Sequence, residues 1–187
     1  MSTPEPAQRR QILDAALVVL ARDGEAGFTV RKVAQEAGCS TTGVYTWFGG
    51  KGGLVDAIFV EGFESFDAAL APAYAAGDTT LVGSTYRRWA HANQTHFLVM
   101  FGRAVPDVRP GDEALARGYR SFLGLVAHVA AAFPALTEAE AHDWAYHLNA
   151  CIHGYVMTEL TGMSPAPDRV DELFEAGLRR LLAPLTA

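Results

Sequence analysis

The sequence predicts an all-α protein of about nine helices, and three observations lead to this fold class. Apolar residues recur at helical spacing through almost all of the 187 residues, whereas the alternation typical of strands is scarce. Half of the residues are apolar, which is enough for a packed core. Turn signals divide the chain into helix-sized segments, and residues 105–111, which read VPDVRPG, form the clearest loop.

The first three predicted helices are short and closely spaced. The first covers residues 7–22 and stops at Gly24, because glycine readily takes the left-handed conformation that ends a helix. The second begins after Thr29, whose side chain is a good N-cap, and turns at Gly38. Ser40 caps the third.

Six further helices follow from the apolar periodicity. Thr137 and Glu140 form a capping box at the start of the eighth predicted helix. The last predicted helix carries a dense apolar stripe. The six segments are residues 54–74, 79–93, 97–101, 112–133, 137–160 and 170–182.

The charge of the chain is unevenly distributed. The net charge is −6, yet residues 1–51 hold six basic and five acidic residues, so the remainder carries the negative charge. A near-neutral head on an acidic body suits a nucleic-acid-binding module joined to a different kind of domain. We therefore predict a DNA-binding domain at residues 1–53 and a second domain at residues 54–187.

Residues 28–51 read FTVRKVAQEAGCSTTGVYTWFGGK, the pattern of a helix-turn-helix. If Val44 and Phe48 are buried, the third helix exposes four side chains that can bond phosphates or base edges. Lys51 stands at a helix start, where free N–H groups favour a phosphate. The alternative is an ordinary solvated face. The four exposed residues are Thr41, Thr42, Tyr45 and Thr46.

The same segment resembles the N-terminal domain of TetR-type transcriptional regulators. The similarity rests on residues 29–38 (TVRKVAQEAG), residues 43–48 (GVYTWF), Lys51 and Leu54. It implies a three-helix head of about residues 8–68 when the fourth helix is included, followed by a helical ligand-binding body. It also implies a homodimeric repressor that binds a palindromic double-stranded operator and is released by a small-molecule effector.

The resemblance also implies which residues contact DNA. Thr29 and Arg31 match phosphate contacts, and Lys51 matches a phosphate anchor. Trp47 stands where a polar or histidine-like residue is usual, so this indole either contacts DNA or packs within the head. The remaining matches on the recognition helix are Thr41, Thr42 and Tyr45. Four glycines surround Lys51, and we expect a loose junction between the third and fourth helices at Gly49, Gly50, Gly52 and Gly53.

An effector pocket needs apolar walls and a few convergent polar groups, and the body offers candidates for both. Most of its aromatic residues should belong to the core. The candidate pocket residues are Trp89, His96, Met100, Phe101, Tyr119, Phe122, Trp144, His147, Asn149, His153 and Met157. The predicted dimer seam lies on the last helix at Val170, Phe174, Gly177 and Leu181, with packing inside the subunit as the alternative.

Other functional classes are disfavoured. The motifs of nucleophile elbows, P-loops and dinucleotide sites do not occur, so we predict no enzyme and no cofactor. The six histidines lack compact ligand spacing, and we predict no metal site. Cys39 lies beside the recognition helix, which leaves a thiol-sensing regulator as an alternative, together with an activator.

Localisation follows from three further features of the sequence. Residues 1–10 are polar and contain proline, unlike a signal peptide. Apolar runs stay shorter than the roughly 18 residues of a membrane helix. The two cysteines are too widely spaced for a disulfide framework. We expect a cytoplasmic protein without a membrane partner.

Overall fold

The computed structural model describes residues 7–102, 105 and 108–186. Within these residues the chain forms nine α-helices, one 3₁₀ turn and no strand, which confirms the predicted fold class and helix number. Residues 1–6 of the polar N-terminal segment, and Pro106 and Asp107 of the predicted loop, lie outside the described residues. The helices are α1 (Ala7–Gly27), α2 (Val30–Glu36), α3 (Thr41–Phe48), α4 (Lys51–Ala76), α5 (Thr79–Ala92), α6 (Gln94–Phe101), α7 (Asp112–Ala132), α8 (Glu138–Leu160) and α9 (Val170–Thr186).

The ends of α1, α2 and α3 follow the predicted signals. Helical geometry in α1 is interrupted at Gly24, where φ is 63°. The Thr29 hydroxyl accepts a hydrogen bond from the Lys32 amide at 3.3 Å, and the Ser40 hydroxyl accepts one from the Gly43 amide at 3.2 Å. Both contacts satisfy amides that a helix start leaves unpaired.

The junction between α3 and α4 requires glycine at several positions. Gly49 ends α3 in the left-handed conformation with φ of 69°, and Gly50 has φ of 126°. At Gly53 an added Cβ would lie 1.8 Å from the carbonyl oxygen of Phe48. Side chains other than hydrogen are excluded there because the backbones of α3 and α4 touch. Backbone conformation therefore explains Gly49 and Gly50, and close packing explains Gly53, whereas a Cβ at Gly52 would meet nothing within 4 Å.

The chain divides into two compact units. The first comprises the described residues of Met1–Phe63 and Thr95–Gly118, and the second those of Glu64–Gln94 and Tyr119–Ala187. The first unit contains α1, α2, α3, the first half of α4, α6 and the start of α7. In it α2 packs against both α1 and α3. The boundary proposed after residue 53 stays a prediction.

The second unit is built around α5, α8 and α9, which pack against one another. The predicted capping box is present, because the Thr137 hydroxyl and the Glu140 carboxylate each accept a bond from the other residue's amide. Arg87 on α5 donates to Glu159 on α8 at 2.8 Å and to Asp171 on α9 at 2.6 Å. None of the helices in the described part of the chain is long and apolar enough to cross a membrane.

Candidate functional site

The predicted recognition helix, α3, presents a polar outer face. Val44 is fully buried and Phe48 is 8% exposed, whereas Tyr45 is 56% exposed. The Thr46 hydroxyl donates to the Thr42 carbonyl at 2.9 Å, so its oxygen can still accept a hydrogen bond. The exposed residues of this face are Thr41, Thr42, Tyr45 and Thr46. The four side chains that the sequence pattern singled out thus lie on the exposed face of α3.

Trp47 lies at the border between this face and the core of the head. Its side chain is 36% exposed, and its indole N–H donates to the Gln8 side-chain oxygen on α1 at 3.1 Å. The single donor of the indole is thus satisfied within the chain. Of the two alternatives for Trp47, the hydrogen bond supports a packing role, although the exposed ring surface stays available.

Three predicted phosphate contacts flank α3. Thr29 is exposed at the start of α2, where it also serves as N-cap, and Arg31 is exposed two residues later in the first turn. Lys51 is the first residue of α4, and its ammonium lies 5.9 Å from the centroid of the Phe28 ring. A helix start leaves backbone amides without intrahelical partners, and the starts of α2 and α4 therefore favour phosphate groups nearby.

Ion pairs within the head determine which basic residues stay available. Arg22 binds Asp23 and Glu36, and Lys32 binds Asp23. Arg22 and Lys32 hold the pKa of Asp23 at about 2. Among the described residues Arg31 and Lys51 form no ion pair, so their charges are available to an external anion.

Two predicted pocket residues line a cavity in the first unit. Met100 and Phe101 on α6 face a space of about 340 Å³. The rest of the wall was not identified from the sequence, although apolar residues in the proline-rich loop were a usable signal. These further lining residues are Val55, Phe59, Val99, Val105, Val108, Arg109, Pro110 and Leu115.

A charged cluster accompanies α6 in the first unit. Arg10 on α1 donates to Oε1 of Glu61 on α4 at 2.7 Å, and His96 Nε2 lies 3.9 Å from Glu61 Oε2. Glu61 Oε2 and His96 Nε2 are both buried and have no hydrogen-bond partner among the described residues. His96 and Arg10 lower the pKa of Glu61. His96 thus lies beside the Arg10–Glu61 ion pair and is not among the described residues that line the cavity.

Eight further predicted pocket residues lie in the second unit, and two of them, Trp144 and His147, line a common cavity. Trp89 is 6% exposed and donates to the Ser65 hydroxyl at 3.0 Å, and His153 is paired with the Tyr86 hydroxyl at 3.1 Å. Tyr119 is 58% exposed. The five remaining candidates are half-buried or exposed, and they are Phe122, Trp144, His147, Asn149 and Met157.

Trp144 and His147 line a second, open cavity of about 350 Å³ in the second unit. The wall is completed by Glu140, Asp143 and Leu181. Leu181 was predicted for the dimer seam, whereas its neighbours were predicted for the effector pocket. This surface depression thus combines residues that the sequence had assigned to the pocket with one that it had assigned to the dimer seam.

Two of the four predicted seam residues pack inside the chain. Phe174 is 3% exposed, with its ring edge-on to Tyr155 and 5.0 Å below the Arg87 guanidinium. A Cβ at Gly177 would lie 2.3 Å from the Tyr155 hydroxyl oxygen. Contacts with α5 and α8 cover this stripe of α9, so the alternative of packing within the subunit applies to Phe174 and Gly177. Val170 and Leu181 are half-buried.

Comparison with known proteins finds two family models that match successive stretches of the chain. Residues 12–58 match the model of bacterial regulatory proteins of the tetR family, and residues 80–181 match a tetracyclin repressor-like C-terminal domain. No curated protein matches the chain significantly.

Solved structures share the whole fold. SCO4313, a protein proposed to be regulatory, is 25% identical with a TM-score of 0.84, covering 97% of this chain and all of that one. A TetR-family member from Streptomyces coelicolor, SCO1917, is 23% identical with a TM-score of 0.72, covering 94% and 98%. The multidrug binding protein EbrR, solved with imidazole, is 22% identical with a TM-score of 0.67, covering 95% and 96%.

The helix-turn-helix geometry of the head, the helical body and the two matched models agree with one another. The chain belongs to the TetR family of DNA-binding transcriptional regulators.

Proposed function

We propose that the protein is a homodimeric repressor that binds a palindromic operator in the cytoplasm and is released by a small-molecule effector. The observation that carries the proposal is the exposed polar face of α3 between two helix starts. Each half of the dimer would insert α3 into the major groove, with Tyr45 and the neighbouring threonines at base edges. Arg31 and Lys51, which form no ion pair among the described residues, would bind phosphates on either side.

A dimer is needed for physical reasons. One short helix offers few base contacts, and each good contact contributes only about 1–3 kcal/mol of discrimination. Two heads on one body read two half-sites together, about one helical turn apart. We assign the dimer contact to the outer face of α8, where Tyr146 is 60% exposed, together with Leu181 on α9.

Effector release requires a route from the cavity to the head. α4 supplies both Val55 and Phe59 to the cavity wall and Glu61 to the ion pair with Arg10 on α1. A movement of α4 caused by an occupant would therefore act on α1 through a bond of 2.7 Å. A ligand that prefers the released form ten-thousandfold, about 5.5 kcal/mol, changes occupancy from nearly full to nearly empty.

Fluorescence anisotropy on the palindrome upstream of the gene tests the DNA surface. Tyr45→Ala should weaken binding to the palindrome more than to a scrambled duplex, because it removes a base-edge contact. Lys51→Ala should weaken both duplexes and lower the salt dependence by about one phosphate per protomer.

Tyr119→Ala is the matched control, because Tyr119 is as exposed as Tyr45 but lies on α7. It should bind DNA like the wild type. Equal effects of the two tyrosine substitutions, or the absence of binding to any upstream duplex at low salt, would contradict the proposal.

A further inference from the structure

We infer that the cavity beside α6 binds a small apolar monocarboxylate, with Arg109 as the partner of its carboxylate. This inference rests on the proposed function in taking the cavity as the effector site. It adds the chemical class of the effector and the residue that selects it.

The cavity sets the size and polarity of its occupant. Its volume of about 340 Å³ lies near the lower end of the range of about 300–1,000 Å³ that is usual for ligand pockets. Valines, phenylalanines, a methionine, a leucine and a proline form its wall, drawn from α4, α6, the following loop and α7. Such a wall favours a hydrocarbon or aromatic group, and its described residues offer no side-chain hydroxyl or amide to orient that group.

Arg109 is the single charged side chain among the described lining residues. It is exposed, and it has no ion-pair or hydrogen-bond partner within the described part of the chain. Three acids that the structure describes close to Arg109 in sequence or across the loop, Asp56, Asp112 and Glu113, form no ion pair with it. Asp56 is engaged elsewhere, because its Oδ1 accepts the Gly111 amide at 2.9 Å just before α7.

A guanidinium with free donors selects among ligands of the same size. It can donate two parallel hydrogen bonds to a carboxylate, donates only one to a hydroxyl oxygen, and repels an ammonium group. The apolar wall contributes equally to all three. The head group of the ligand therefore decides which of the three binds most tightly.

An occupant of this cavity contacts the part of α6 that touches α4. A Cβ at Gly62 would lie 2.6 Å from Met100 Sδ, so the Met100 side chain rests directly on the α4 backbone. Gly62 is adjacent to Glu61, which holds Arg10. Displacement of Met100 by the ligand thus acts next to the ion pair that reaches α1.

Calorimetric titration of the full-length protein without DNA tests the inference with three probes that share one chain: octanoate, 1-octanol and octylammonium. Octanoate should bind about fivefold more tightly than 1-octanol, because a solvent-exposed ion pair contributes at most about that factor to the affinity. Octylammonium should bind weakest. Arg109→Gln should abolish this preference and leave the affinity for 1-octanol unchanged.

Arg120→Gln removes the same charge from an exposed position of α7 outside the cavity and should keep the wild-type ranking. Equal affinities of the wild type for the three probes, an unchanged ranking in Arg109→Gln, or no binding of any probe would overturn the inference. If octanoate binds through Arg109 but does not change operator binding, the ligand site stands and effector release fails. If the protein binds the operator but none of the probes, the DNA-binding proposal stands and the carboxylate site fails.

Discussion

The contact between Gly53 and Phe48 makes two adjacent glycines behave differently when each is replaced by alanine. A Cβ at Gly53 would lie 1.8 Å from the Phe48 carbonyl oxygen and 2.9 Å from the carbonyl carbon. These are backbone atoms, so rotation of a side chain cannot relieve the overlap. A Cβ at Gly52 would meet nothing within 4 Å. The pair therefore separates helix propensity from close approach of α3 and α4.

The expected energies follow from these distances. Replacing glycine by alanine in a helix contributes about 0.5–1 kcal/mol, so Gly52→Ala should stabilise the protein by that amount. Gly53→Ala gains the same propensity but must separate two packed backbones, and overpacking costs about 1–3 kcal/mol. The two variants should differ by about 1–3 kcal/mol. For a chain of this length, that difference corresponds to about 2–12 °C in Tm.

Thermal unfolding by circular dichroism measures the difference, and operator titration measures its consequence. Separation of α3 from α4 moves Lys51 relative to Tyr45, so Gly53→Ala should also bind the operator more weakly than Gly52→Ala. Equal melting temperatures and equal operator affinities for the two variants would refute the steric reasoning.

Two further predictions concern pH. The pKa of Glu61 is lowered below its ordinary value of 4.5, so its stabilising contribution is present above pH 4.5 and is lost as the pH falls through the lowered pKa. Glu61→Gln should lower the free energy of unfolding by about 1–2 kcal/mol at pH 7. It should also reduce the loss of stability in acid, which urea unfolding measures, and an unchanged pH profile would contradict this. Burial lowers the pKa of His128, whose Nε2 lies 3.0 Å from the Thr79 hydroxyl, so stability falls as the pH drops below 6.5 and the unfolded chain takes up the proton. NMR should show the His128 ring titrating below pH 6.5, and a midpoint at or above 6.5 would count against the assignment.

The head could be predicted from the sequence because its signals are local. Thr29 and Ser40 act as N-caps, Gly24 interrupts α1, and the spacing of Val44 and Phe48 determines which face of α3 is exposed. Each of these relations spans only a few residues. Helical periodicity and capping rules therefore suffice to place the candidate DNA contacts on one surface.

The cavity and the dimer seam depend on contacts between distant residues. The cavity wall joins Val55, Val99 and Leu115 from three different helices, and no periodicity relates their positions. An amphipathic stripe shows that Phe174 is covered, but it does not show whether α5 and α8 of the same chain or a second subunit covers it. Trp89 and His153 resemble pocket residues in the sequence because their partners, Ser65 and Tyr86, become evident only after folding.

The central claim is that the surface around α3 binds operator DNA. Hydrogen–deuterium exchange of the full-length protein, with and without the palindromic duplex, tests it most directly. The account predicts slower amide exchange in the helix-turn-helix from α2 to the first turn of α4, at ionic strengths where the duplex is bound. Protection confined to α7, α8 or α9, or unchanged exchange across residues 29–51 at saturating duplex, would contradict it.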